Sequence, residues 1–241
     1  MNSNLTKDEY SYLCLLLQAI DARKWDTLEI MLRSDPLKFA AVSEAISRSS
    51  NLNGMTVLHA SIRFDPPPRL VGLILRLAPF SAGSVDCLNR TPLHIAAAVR
   101  ANPQTISLLI HSCREACAIQ DVDGKTPLHF ACDINCELFE GEEGIVRDPP
   151  SMEIVKILVM AAPEVVPIED RDDTSALEYA ILSSADVTVV KLLMHLTQKQ
   201  LSSESAPNQP ASFLQVPVAV KETRCISPES PGCSDRTAFT V

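Results

Sequence analysis

Three histidines, His59, His94 and His129, offer the first chemistry in this 241-residue chain, because imidazole is the usual general base near neutral pH. Each follows a threonine by three residues, and those threonines, Thr56, Thr91 and Thr126, stand 35 residues apart. No serine or cysteine accompanies any of them in the pattern of an activated nucleophile. One residue type returning at one position argues for a structural role instead. A second grouping is made of soft ligands. His129, Cys132 and Cys136 share a helical face at spacings of 3 and 4, with Cys113 and Cys117 upstream. Such a set could hold zinc tetrahedrally. Yet His129 already belongs to the recurring pattern, and free cysteine packs as a small hydrophobe. Gly124-Lys125-Thr126 invites a phosphate-loop reading, but that loop needs a glycine five positions earlier and residue 119 is Ile. With 7 glycines in all, no glycine-rich cofactor loop is available. The expectation is a protein with no cofactor, no metal and no enzymatic activity.

The histidines sit just inside a turn that feeds a helix start. Asp123-Gly124 is a turn dipeptide, since glycine accepts positive φ. Thr126 is a preferred N-cap, and Pro127 suits the first helical position because its missing N–H would be unpaired there anyway. The stretch Thr126-Pro127-Leu128-His129-Phe130-Ala131 returns as Thr91-Pro92-Leu93-His94-Ile95-Ala96 and as Thr56-Val57-Leu58-His59-Ala60-Ser61. A worn copy, Ser175-Ala176-Leu177-Glu178-Tyr179-Ala180, follows 49 residues after Thr126. A second apolar helix recurs 15 residues after Thr56 and Thr91, but 28 after Thr126, so about 13 residues are inserted in that copy.

The period and the Thr-Pro-Leu-His pattern resemble the ankyrin repeat, a unit of turn plus two helices. The resemblance implies an all-α fold, an ankyrin-repeat solenoid of stacked helix pairs. It also implies that His59, His94 and His129, with Thr56, Thr91 and Thr126, tie each helix start to the neighbouring turn. Residues 1–50 are read as a degenerate N-terminal helix pair followed by an extra short helix, with Trp25 plugging the junction. Residues 51–200 are read as the repeats. An acidic insertion at 137–150 carries five acids and one base, and is expected as a turn on the rim away from the turn tips. Residues 201–241, with 5 prolines and no periodicity, are expected to be a disordered tail.

The formal net charge is −9. Such a surface gives no electrostatic reason to bind nucleic acid or an anionic membrane. The apolar run Tyr12 to Leu17 is too short to span a bilayer, and no basic leader precedes it. A cytoplasmic or nuclear monomer is the expectation. The function implied by the resemblance is a scaffold or adaptor that binds a protein partner on the concave face of the array. The alternative is a cytosolic inhibitor of a basic factor, switched through Ser227-Pro228 and Ser230-Pro231 in the tail. Counted from each motif threonine, the outward positions expected to meet the partner include Met55, Arg63 and Phe64 in the first repeat. Leu88, Arg90 and Val99 follow in the second, and Lys125, Asp133 and Ile134 in the third.

Overall fold

The computed structural model describes residues 5–48, 51–139 and 144–204, and most of the expected C-terminal tail, with both of its Ser-Pro steps, lies outside them. Within the described residues the chain is helical, apart from one isolated bridge between Glu169 and Ser175. Two helices, α1 (Lys7–Asp21) and α2 (Trp25–Ser34), precede an extra helix, α3 (Pro36–Ser47). Four pairs follow: α4 (Val57–Ile62) with α5 (Pro68–Leu77), α6 (Pro92–Ala98) with α7 (Pro103–Ser112), α8 (Pro127–Cys132) with α9 (Met152–Ala161), and α10 (Ala176–Leu182) with α11 (Val187–Glu204).

The pairs stack in two layers. The first helix of each pair lies in an inner row, α1 on α4, α4 on α6, α6 on α8 and α8 on α10. The second lies in an outer row, α2 on α5, α5 on α7, α7 on α9 and α9 on α11. No single pair could bury its apolar face, so neighbouring pairs complete each other's core. The motif leucines Leu58, Leu93 and Leu128 are at most 1% exposed, whereas Leu177 of the last pair is only half-buried, because among the described residues no further repeat covers it. Trp25 is half-buried as well. It packs against the core on one side and lines an open groove with Arg69 and Pro67 on the other.

Between repeats the chain makes a turn, here called a finger, ahead of each inner helix. The finger residue two before the cap is left-handed in all four copies: Gly54 (φ +75°), Asn89 (φ +59°), Gly124 (φ +83°) and Asp173 (φ +54°). At Gly124 a side chain would also be crowded, because an added Cβ would meet the Arg171 nitrogen at 3.1 Å. The close approach is real bonding. Arg171 N–H donates to the Asp123 carbonyl (2.9 Å), as Val122 N–H does to Leu88 (3.0 Å) and Cys87 N–H to Asn53 (2.7 Å). Each finger is thus pinned to the previous one by a single backbone bond.

The insertion departs from the expected rim turn. From Ile134 the chain turns back across the inner row, and Leu138 is buried at 2% exposure. Its carbonyl accepts a bond from Arg90 Nη1 (2.6 Å), and the Phe139 ring lies 3.9 Å from the guanidinium carbon of Arg63. On its return the segment passes Ile134, whose carbonyl accepts from Arg147 N–H (2.7 Å), and reaches Arg100, whose Nε donates to the Asp148 carbonyl (3.2 Å). Apolar residues hidden inside an acidic run explain the correction. Leu138 and Phe139 leave water by lying on the repeats, which a bare rim turn could not offer them.

Candidate interaction face

Three of the inner helices, α4, α6 and α8, begin with the same cap. Thr56 N–H donates to Nδ1 of His59 (3.1 Å), Thr91 N–H to Nδ1 of His94 (3.0 Å) and Thr126 N–H to Nδ1 of His129 (3.0 Å). A backbone N–H can only donate, so Nδ1 must be the unprotonated nitrogen and Nε2 carries the hydrogen. That hydrogen points across the repeat boundary. His59 Nε2 meets the Arg90 carbonyl at 3.0 Å and His94 Nε2 meets the Lys125 carbonyl at 3.2 Å. Burial pushes all three imidazoles down, to about 4 for His59, about 3 for His94 and about 4 for His129, and the accepting carbonyls offset this only partly. Neutral, doubly bonded and enclosed, His59 and His94 are latches between repeats. His129 differs: its Nε2 forms no hydrogen bond, although Asp170 and the Ile168 and Thr174 backbones lie close enough to favour its charged form.

Carboxylates at one finger position, five before each cap, were not anticipated from the sequence and organise three fingers. Asp86 Oδ1 accepts from Leu88 and Arg90 N–H, Asp121 Oδ1 from Asp123 and Lys125 N–H, and Asp170 Oδ1 from Asp172 and Thr174 N–H. The signal was present in the regular offset of Asp86, Asp121 and Asp170 from Thr91, Thr126 and Ser175. In the second finger the other oxygen, Asp86 Oδ2, takes both Nε (2.9 Å) and Nη2 (2.8 Å) of Arg90, a buried two-pronged ion pair.

These bonds decide which of the expected contact residues face outward. Arg90 is 6% exposed and committed to Asp86 and Leu138, and Asp133 is equally buried, with Lys125 Nζ at 3.4 Å. Lys125 is half-buried and also lies 4.5 Å over the Tyr179 ring. Met55, Phe64, Val99 and Ile134 are half-buried. Arg63 is exposed but stacked between Phe64 (5.6 Å) and Phe139 (3.9 Å). Leu88, at a finger tip, is 40% exposed. The structure therefore gathers Met55, Arg63 and Phe64 around the insertion. With Leu17, Ile20, Asp21, Ala60 and Phe139 they enclose a cavity of about 170 Å³. The remaining concave surface lies toward α8 and α10, where Val146 (67% exposed) and Leu182 (75%) stand out.

Of the four thiols in the zinc-like grouping, Cys117, Cys132 and Cys136 are buried and Cys113 is half-buried. Burial pushes Cys132 up to about 12 and Cys117 up to about 11, and it raises Cys113 and Cys136 too, so none of these four is a ready nucleophile. His129 spends its Nδ1 on the cap. Among the described residues no helix is long and apolar enough to cross a membrane. Residues 66–140 match the family model described as ankyrin repeats, in 3 copies. No curated protein matches the chain.

Proposed function

Since the chain is an ankyrin-repeat protein, and so an interaction module by family, we propose that it is a non-enzymatic adaptor that docks one protein partner on its concave face. The observation that carries this reading is the division of labour along the inner row. Titratable groups there are consumed by the fold: the histidine latches, the Asp86–Arg90 pair and the Lys125–Asp133 contact. Large apolar residues stay exposed beside them, Leu88, Val146 and Leu182, in a setting of charged residues. Such a surface suits a protein partner better than a small substrate, which needs a deep pocket with convergent polar groups. We take the adaptor to be a monomer acting without nucleic acid or cofactor.

A photo-crosslinking amino acid placed singly at Leu88, Val146 or Leu182, and at Met160 on the outer helix α9, tests the proposal in cells. Met160 is 72% exposed and serves as the convex-face control. The concave positions should yield one shared protein adduct that Met160 does not give. Adducts equal from Met160, or none from the concave positions, would remove the concave face as the docking surface.

A further inference from the structure

We infer that the half of the concave face left open by the insertion binds a basic, aliphatic segment of the partner protein, an inference that rests on the adaptor reading above. Three observations lead there. First, Leu138 and Phe139 already occupy the inner row at Arg63 and Arg90, so a partner finds free surface only toward α8 and α10.

Second, backbone bonds bring the segments that carry the exposed aliphatic residues close to one another, and we take them as one patch. Ile134 N–H donates to Ser183 Oγ (3.1 Å) and the Ile134 carbonyl accepts from Arg147 N–H (2.7 Å). Leu182 and Val146 are the sequence neighbours of those two partners, which brings their backbone close to that of Ile134. With Ile145 at 46% exposure, the patch holds three large aliphatic side chains in water. Exposed apolar groups that are contiguous, not scattered, mark an interaction site.

Third, its charge is one-sided. Glu137 and Asp148 lie on the insertion beside the patch, and Asp186 lies in the turn after Leu182; all three are exposed. The nearby cations point inward. Arg147 Nε donates to the Cys136 carbonyl (3.0 Å), and Arg100 gives its donors to the carbonyls of Ala97, Phe130, Asp133 and Asp148. The patch therefore presents apolar carbon framed by unneutralised carboxylates. A segment with leucine-like residues between lysines or arginines matches it, and an acidic or phosphorylated one would meet like charge.

The test uses the full chain and fluorescence anisotropy with a labelled amphipathic peptide of leucine and lysine, about 16 residues long so that it can turn helical on binding. One comparator replaces each lysine with glutamate, and another replaces each leucine with serine. Only the leucine–lysine peptide should bind, and V146D/L182D should weaken it by about tenfold or more, with added salt weakening it further. Both positions are exposed, so the double variant should keep the parent's circular dichroism; K156E, on the outer helix α9, controls for a diffuse charge effect and should leave affinity unchanged. Binding of the leucine–glutamate peptide, undiminished binding to V146D/L182D, or equal loss in K156E overturns the inference. A shared concave-face crosslink in cells combined with no peptide binding would sink this partner chemistry while leaving the adaptor reading intact.

Discussion

The two halves of the concave face are built from the same repeat, yet they end in opposite states. Toward the N-terminus the inner row is latched by His59 and His94 and covered by Leu138 and Phe139. Toward the C-terminus His129 Nε2 has no bond, Leu177 is half-buried, and Val146 and Leu182 face solvent. One insertion of about 13 residues creates the covered half, by folding back over the repeats that precede it instead of extending from the rim. The lesson is that position in an array does not decide exposure. Whatever chain is spliced between two helices can spend a binding face on the protein's own stability.

The sharpest way to break the comparison is at Arg90, the residue that joins finger and insertion. Arg90→Ala strands Asp86 in a buried site and frees the Leu138 carbonyl, so it should cost about 3–5 kcal/mol in urea unfolding. Arg63→Ala, which removes a stacked but exposed side chain, should cost about 1 kcal/mol or less. Equal losses at the two positions would mean that Arg90 is not buried as described.

Next in size are the motif leucines. Leu93→Ala, fully buried between repeats, should cost about 2–5 kcal/mol, and Leu177→Ala clearly less because water already reaches that site. Denaturation midpoints of the two variants check the gradient along the inner row.

The histidine latches make a pH signature. Their folded values, about 3 to 4, lie below the unfolded value of 6.5. A base whose folded value is depressed lends stability that is complete above the unfolded value and is lost as pH falls toward the folded one. Stability should therefore be flat above about pH 7.5 and decline from pH 6.5 down to about 4, by about 1.4 kcal/mol per pH unit for each histidine. Replacing His94 with Gln should flatten this decline by one histidine's share. At neutral pH, loss of the His94 bridge should cost about 1–2 kcal/mol, whereas the same change at His129 should cost less, since its Nε2 bridges nothing.

The sequence carried the repeat frame to the residue. Turn, cap, proline and leucine at fixed offsets each have a local physical reason, so α6, α8 and their partners could be read before any coordinates. The finger carboxylates Asp86, Asp121 and Asp170 were legible by the same offset arithmetic but lay outside the six-residue motif. Arg100 (φ +55°) and Asp65 (φ +46°) hold left-handed backbone after their inner helices without glycine, which composition alone does not announce. The insertion was misread because its acids dominate its composition. The informative detail was the apolar pair Leu138-Phe139 between Glu137 and Glu140, and where that pair docks depends on tertiary contacts with Arg63 and Arg90 that no local pattern encodes. For the same reason outward offsets counted from the motif misplace Arg90 and Asp133, both of which are buried.

A modest energy effect bears on the covered half itself. Phe139→Ala should cost only about 1–2 kcal/mol, because the ring is half-buried, but it should uncover Arg63 and Phe64. The central claim, that the insertion lies on the inner row, is tested most directly by nuclear Overhauser contacts in the isotope-labelled full chain. The account expects cross-peaks from the Phe139 ring to the Arg63 side chain, lost in Phe139→Ala. Their absence in the parent, with unstructured chemical shifts at Leu138 and Phe139, would contradict it.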